Sequence, residues 1–245
     1  MKKSVVNNIC RKFGFEIHGI GYIQSVAKQS FKEDPYAIQK EFNRQAQIIF
    51  DLGANRGDTV AKYLELFPLA KIYAFEPFPD NFKVLKERFK NNSQVSCHQI
   101  AISDSAAVKQ FYVNKNVDTN SLLKPIRTGL SSDVQVENKR QISVETITLD
   151  QFCKSHLIST IDILKMDIQG AELAALRGAE NLLMNNHIRL IYSETYFIPQ
   201  YEDQPLFHDI SKYVFKYNYI LKDIFSPIYG KGKLSWGDVI FVLNN

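Results

Sequence analysis

Two short segments constrain this chain more than anything else in it. Ile48-Ile49-Phe50-Asp51-Leu52-Gly53-Ala54-Asn55-Arg56-Gly57 is an apolar run ending in an acid and a glycine-punctuated turn, and Lys71-Ile72-Tyr73-Ala74-Phe75-Glu76-Pro77 repeats the strand-then-acid pattern. Ile48 to Phe50 has the short, unbroken apolar character of a strand buried on both faces, as in a parallel sheet. Gly53 and Gly57 bracket a turn that opens a helix from about Asp58 to Phe67, and glycine there lets a ligand approach the main chain closely. The strand Ile72 to Phe75 then delivers Glu76 and Pro77 to the carboxyl edge of the same sheet, where open α/β sheets bind their ligands.

A carboxylate at that edge can accept hydrogen bonds from both hydroxyls of a ribose. The expected ligand is therefore an adenosine-type nucleoside whose tail lies over the turn from Gly53 to Gly57. A dinucleotide site also pairs a glycine turn with an acid about 20 positions on. Its fingerprint G-x-G-x-x-G is not met by Gly53-Ala54-Asn55-Arg56-Gly57, and Asp51 would repel a pyrophosphate passing the strand end. An ammonium group suits that acid instead. S-adenosylmethionine offers a ribose for Glu76, an amino group for Asp51 to reach directly or through water, and no phosphate. A nicotinamide-dependent oxidoreductase is the alternative.

At 245 residues and 45% hydrophobic content the chain can bury the core of one such domain. Its net charge of +4 is spread along the sequence and points only weakly to anionic partners. Cys10, Cys97 and Cys153 are far apart and form no C-x-x-C pair, which argues against a disulfide scaffold or zinc cluster and for a reducing cytoplasm. The apolar stretch after Met1-Lys2-Lys3 is cut by Asn7, Asn8, Arg11 and Lys12, too soon for a signal peptide or a transmembrane segment. Residues 1–45 are expected to form a helical extension ahead of a domain spanning 46–245. Its basic residues, interleaved with Val5, Val6, Ile9 and Phe13, would pack on that domain or make a peripheral membrane contact.

Past Glu76 the alternation continues. Phe82, Leu85 and Phe89 predict a helix from Pro79 to Asn91, and Val95 to Ile100 a third strand. Ala101-Ile102-Ser103-Asp104 follows where an adenine ring would lie. The main chain of Ala101 and Ile102 would read the base edge and Asp104 would accept from its amine, or the four form a plain turn before a strand from Val108 to Val113. Residues 114–140 are polar, with Pro125 and Gly129, and read as a mobile loop over the donor, in which Asn120 and Ser121 would bond the donor on closure. Asp150 is the predicted N-cap of a short helix.

The second chemical cluster is Asp162-Ile163-Leu164-Lys165-Met166-Asp167-Ile168-Gln169-Gly170-Ala171-Glu172. Ile163 to Met166 forms a buried strand that places Asp167 at its carboxyl end, across the switch point from Gly53. Gly170 begins a helix turning Leu173, Leu176 and Leu183 inward, and a strand from Ile188 to Ser193 ends at Glu194. Asp167 and Glu194 converge on one edge, as chemical groups or as caps of helix N-termini. Tyr196, Phe197 and Tyr201 would line an acceptor pocket, while Tyr213, Phe215, Tyr217 and Tyr219 alternate as a strand would. The five histidines show no paired spacing for zinc.

Five stretches, F-D-L-G-A-N-R-G-D-T, I-Y-A-F-E-P, A-I-S-D, V-E-T-I-T-L-D-Q-F and I-L-K-M-D-I-Q-G-A-E-L-A-A-L-R-G-A, resemble in order the pattern of the FkbM family of S-adenosylmethionine-dependent methyltransferases, over about residues 46 to 243. The resemblance implies an α/β, Rossmann-like fold with helices on both faces of a seven-stranded, mostly parallel sheet, its one antiparallel strand supplied by Asp238 to Leu243. It implies O-methylation of a sugar, polyketide or other secondary metabolite, hence a small-molecule or glycan acceptor. Carried over residue by residue, Asp51, Gly53, Asn55, Gly57 and Glu76 would hold the donor and Asp167 would lie beside its methyl group. Where the family shows Asp-x-Glu-Gly, this chain has Gln169. Glutamine is no base and a poor metal ligand, so Glu172 or Glu194 would have to act in its place, or the chain would be a catalytically silent binding or partner-recruiting module.

Methyl transfer from a sulfonium is an in-line displacement, so alignment supplies much of the acceleration. A carboxylate of ordinary acidity takes a sugar hydroxyl's proton only as the methyl moves. Magnesium held by Asp167 and Glu194 would ease that ionisation. Asp167-Ile168-Gln169-Gly170 is not the Asn/Asp-Pro-Pro-Tyr/Phe motif of exocyclic-amine methylation, so no nucleic-acid partner is expected.

Overall fold

The computed structural model describes residues 34–126 and 136–244. Of the first compact unit, Met1–Ile38, only 34–38 are among them, so most of the helical extension expected over 1–45 lies outside the described residues. Residues 127–135 of the expected mobile loop lie outside them as well.

A short helix, α1 (Pro35–Phe42), precedes an alternating series: β1 (Ile48–Leu52), α2 (Asp58–Leu66), β2 (Lys71–Phe75), α3 (Pro79–Phe89) and β3 (Val95–His98). Then come β4 (Ala101–Ile102), β5 (Ala107–Asn114), a 3-10 turn (Val117–Thr119), β6 (Asn138–Ile147), α4 (Leu149–Ser155) and β7 (Ile161–Met166). The chain continues through α5 (Glu172–Arg177), α6 (Glu180–Met184), β8 (Ile188–Tyr196), α7 (Phe207–Val214), β9 (Tyr219–Gly230) and β10 (Lys233–Leu243). Seven strands form one sheet in the order β3-β2-β1-β7-β8-β10-β9, and β4-β6-β5 form a second. The neighbours from β3 to β8 pair in parallel, whereas β10 runs antiparallel to β8 and β9, as expected of the stretch from Asp238 to Leu243.

The order reverses between β1 and β7, and a crevice opens there at the strands' carboxyl ends. One face of the large sheet packs Phe50, Leu52, Phe75, Leu164 and Met166 against Phe152, Leu173, Leu176 and Ile210. Burial of each such side chain contributes roughly 1.5–3 kcal/mol. On the other face the register aligns Ala74, Asp51, Lys165, Tyr192 and Ile240 in one rung. Side chains alternate along a strand, so the positions two residues on share that face. In parallel strands these are Glu76, Gly53, Asp167 and Glu194, and Asp238 pairs with Glu194 across β10. The register thus collects acids at one edge of one face.

Several elements differ from their sequence expectations. The third strand ends at His98, and Ala101 and Ile102 pair instead with Thr146 and Ile147 of β6 in the second sheet. Thr148, not Asp150, caps α4 by accepting from the Gln151 N–H (3.1 Å), while Asp150 accepts from the N–H groups of Asn181 and Leu182 and so caps α6. The helix expected from Gly170 starts at Glu172 and breaks at Gly178, where a Cβ would collide with the Ser103 carbonyl oxygen. The alternating aromatics from Tyr213 sit on the end of α7 and a 3-10 turn (Phe215–Tyr217), because Ile210 and Val214, at helical spacing, are the residues buried. Among the described residues no helix is long and apolar enough to cross a membrane.

Gly57 is the N-cap of α2, with φ +89°, and a Cβ there would run into the Phe89 ring and come within 2.9 Å of Leu85 Cδ1 on α3. This glycine, expected at the donor, serves helix packing. Gly57→Ala should lower stability by roughly 1–3 kcal/mol in thermal unfolding. Unchanged stability would contradict that assignment.

Candidate active site

The carboxyl ends of β1, β2 and β7 open onto a cavity of about 510 Å³, a size usual for small-molecule sites. Its rim begins with the turn after β1, where Gly53 (φ +76°) and Asn55 (φ +49°) adopt left-handed backbone. A Cβ at Gly53 would collide with the Asp167 carbonyl oxygen, so glycine lets β1 and β7 close on each other at the switch point. Four N–H groups of this turn are spent within the protein. Those of Gly53 and Ala54 both donate to Phe75 O (3.0 Å each), that of Asn55 to Glu76 Oε2 (2.8 Å), and that of Gly57 to Ala54 O (2.8 Å).

Glu76 is buried in the cavity wall, Oε1 accepting from the Phe78 N–H (2.8 Å) and Oε2 from Asn55. Each carboxylate oxygen keeps acceptor capacity for one more hydrogen bond. Burial pushes its pKa up to about 7, against the pull of those two N–H groups and of Lys165. Beside it Pro77, Ile100, Ala101, Ile102, Phe111 and Leu122 give the cavity an apolar slot. Ala101 and Ile102 therefore lie where the sequence placed them. Asp104 does not line the cavity; its carboxylate is paired with Lys109 (2.7 Å), and the long side chain of Lys109 on the neighbouring β5 draws it away.

The polar loop between β5 and β6 contributes Asp118 and Asn120 to the lining. Asp118 Oδ1 accepts from Asn55 Nδ2 (2.8 Å), bridging the loop to the turn. Asn120 Oδ1 accepts from the Asn114 N–H. Ser121 is buried behind the cavity, donating from Oγ to Gln169 O (2.8 Å), so it fastens the loop and does not face the lining.

Opposite Glu76, Asp167 lines the cavity and is half exposed. Asp51 is fully buried and does not line it; Lys165 Nζ lies 3.0 Å from Asp51 Oδ1, 3.4 Å from Gly53 O and 3.7 Å from Asp167 Oδ2. Burial raises the Asp51 pKa and the Lys165 ammonium opposes the rise. The expected role of Asp51 toward an amino group is thus pre-empted by Lys165, a lining residue the sequence reading did not single out. Its signal was there: a lysine inside a strand otherwise apolar at Ile161, Ile163, Leu164 and Met166 demands a buried partner.

Gln169, in left-handed backbone (φ +56°), organises the rest. Its Nε2 donates to Asp167 Oδ1 (2.9 Å) and Glu194 Oε2 (2.7 Å), and its Oε1 lies within 2.9 and 3.0 Å of the Tyr196 and Tyr201 hydroxyls. Tyr196 OH also reaches Glu194 Oε2 (2.8 Å). Burial and the neighbouring charges of Asp167 and Glu172 raise the Glu194 pKa well above the usual carboxylate value. Tyr196 and Tyr201, expected in an acceptor pocket, are buried supports of this amide. Glu172 is fully buried too, its Oε1 accepting from the Ile168 (3.0 Å) and Gly170 (3.2 Å) N–H groups. It holds the Asp167–Gly170 turn in shape and points away from the cavity, which displaces it from the catalytic role expected for it.

Asp167 and Glu194 do not form the magnesium site expected of them. An amide N–H donor stands between the two carboxylates where a cation would need lone pairs, and no cluster of three or more acids, histidines or cysteines suited to a metal occurs among the described residues. The residues do fit S-adenosylmethionine: a carboxylate with acceptor capacity for the ribose, an apolar slot for the base, and acids for a cationic tail.

The family model described as "Methyltransferase FkbM domain" matches residues 51–221. The 2-O-methyltransferase NoeI of Sinorhizobium fredii is 30% identical over 166 residues, 65% of this chain and 65% of that protein. The hexuronic acid methyltransferase AglP of Haloferax volcanii is 21% identical over 174 residues, 70% of this chain and 66% of the relative. This chain thus spans about two thirds of the length of these curated relatives. The crystal structure of a methyltransferase FkbM from Methylobacillus flagellatus superposes with a TM-score of 0.51 at 14% identity, over 80% of this chain and 43% of that one, a likeness of fold.

Gln169→Glu would replace the shared donor by a third carboxylate. The variant should be less stable than wild type by roughly 1–3 kcal/mol near pH 8 in denaturant unfolding, the gap narrowing on acidification as one carboxyl takes a proton. Equal stability at both pH values would contradict the bridging role.

Proposed function

Because this chain belongs to the FkbM methyltransferase domain family, we propose that it transfers the methyl group of S-adenosylmethionine to a hydroxyl oxygen of a sugar, glycan or glycosylated metabolite. The observation that carries the donor assignment is Glu76, a buried carboxylate in the cavity lining whose two oxygens each keep acceptor capacity. The acceptor class is supported by the relatives, one a 2-O-methyltransferase and one acting on hexuronic acid.

Glu76 accepts from the two ribose hydroxyls, Ala101 and Ile102 flank the base, and Gly53 and Asn55 face the tail. When bound, S-adenosylmethionine supplies an electrophilic methyl group on a sulfonium. Asp167, the half-exposed acid across the cavity from Glu76, accepts the proton of the incoming hydroxyl as the methyl moves. Gln169 positions Asp167 by donating to Oδ1, and Glu194 anchors the other side of that amide. In this way a glutamine at the family's glutamate position keeps a function: it orients the base without competing for its proton. The silent-module reading predicts donor binding without turnover on a panel of sugars and glycosides. Asp167→Asn should leave S-adenosylhomocysteine affinity within a few-fold and abolish methyl transfer; retained turnover would remove the role.

Glu76 gives a pH test. Ribose hydroxyls donate, so they need the ionised carboxylate, and protonation below about pH 7 removes that acceptor. Affinity for S-adenosylhomocysteine should therefore fall as pH drops through 7, by up to about tenfold per unit. Glu76→Gln should bind more weakly near pH 8 and show a flat profile in calorimetry. A variant with the wild-type pH dependence would exclude Glu76 as the ribose ligand.

A further inference from the structure

We propose that Lys165 is the counterion for the carboxylate of the donor's amino-acid tail, and so a specificity residue for an intact methionyl donor. The proposal rests on the donor reading above. With the ribose on Glu76, the tail must run between Gly53 and Asp167, toward the carboxyl end of β7. It carries an ammonium and a carboxylate, and the two have different needs.

The ammonium meets acids on every side, but the carboxylate does not find a partner easily. Glu76 and Asp167 line that part of the cavity and Asp51 lies buried behind Lys165, so an added anion would be repelled. Within the turn, the N–H groups of Gly53, Ala54, Asn55 and Gly57 are already donated internally. Among the described residues two cationic side chains line the cavity, Arg56 and Lys165. Arg56 is exposed, and its backbone carbonyl accepts from Arg88 Nη1 (3.1 Å). Lys165 is buried at the floor, its Nζ 3.4 Å from Gly53 O and 3.7 Å from Asp167 Oδ2.

The placement also explains why a lysine occupies the interior of a buried strand. Its ammonium is oriented from behind by Asp51 at 3.0 Å, and Asp51, withdrawn from the cavity, is a positioning residue for the lysine. The tail carboxylate would join Asp51 and Gly53 O around that ammonium. This arrangement accepts the zwitterionic tail in one orientation and gives no advantage to a donor lacking the carboxylate.

The test compares S-adenosylhomocysteine with its decarboxylated analogue, which keeps the adenosine, the thioether and the amine. Wild-type protein should bind the intact ligand more tightly by roughly tenfold to a hundredfold, as expected for a charge-assisted hydrogen bond. In Lys165→Met the intact ligand should weaken by that factor while the analogue changes less than threefold or so, bringing the ratio near one. A ratio kept at its wild-type value, or equal weakening of both ligands, would overturn the proposal. Should loss of the lysine alone unfold the protein by stranding the Asp51 charge, Asp51→Asn/Lys165→Met removes both charges, and the same collapse of the ratio is expected. Wild-type protein that binds neither ligand would overturn the donor reading itself and this proposal with it.

Discussion

Two nitrogen donors, Lys165 Nζ and Gln169 Nε2, make it possible for three acids to share one end of the sheet. Without them Asp51, Asp167 and Glu194 would meet at the carboxyl ends of three adjacent strands with nothing between them but repulsion. Burial raises the pKa of Asp51 and Glu194 and so disfavours their charged forms. The lysine sets a full charge against Asp51, and the glutamine sets a neutral donor between Asp167 and Glu194. Each leaves one face of Asp167 open to the cavity. The chemistry proposed for this chain needs that exposed, oriented carboxylate.

The rest of the architecture serves the same point. Parallel pairing of β1 with β7 in the register Asp51 with Lys165 fixes which residues can meet. The glycine at 53 lets the two strand ends close, and Glu172 holds the following turn through two N–H groups. The loop after β5 is tied to the same turn by Ser121 and to Asn55 by Asp118. The cavity is thus walled by elements fastened to one another.

Much of this was legible in the sequence because its signals are local. A strand, an acid and a glycine turn are contiguous in Ile48–Gly57, and the strand ends at Glu76 and Asp167 follow from apolar runs with a charge at their carboxyl side. The antiparallel strand was legible too, through the family resemblance. What could not be read was orientation. Asp51, Gly57, Asp104 and Glu172 all lie near the expected site, yet a lysine, a phenylalanine ring, a second lysine and two backbone amides claim them, and those partners are distant or set by the turn's shape. The period-two aromatics from Tyr213 misled because large residues at a helix end mimic a strand when the buried positions are Ile210 and Val214. Gln169 was noticed as a departure, but its role as a bridge depends on Glu194 and on two tyrosines beyond it.

The central claim is that a sulfonium nucleoside occupies the crevice between β1 and β7. A crystal structure of the protein with S-adenosylhomocysteine tests it most directly. The account predicts both ribose hydroxyls on Glu76 and the thioether sulfur facing Asp167. A crevice that stays empty of this ligand, or that is filled by a nicotinamide dinucleotide, would contradict it.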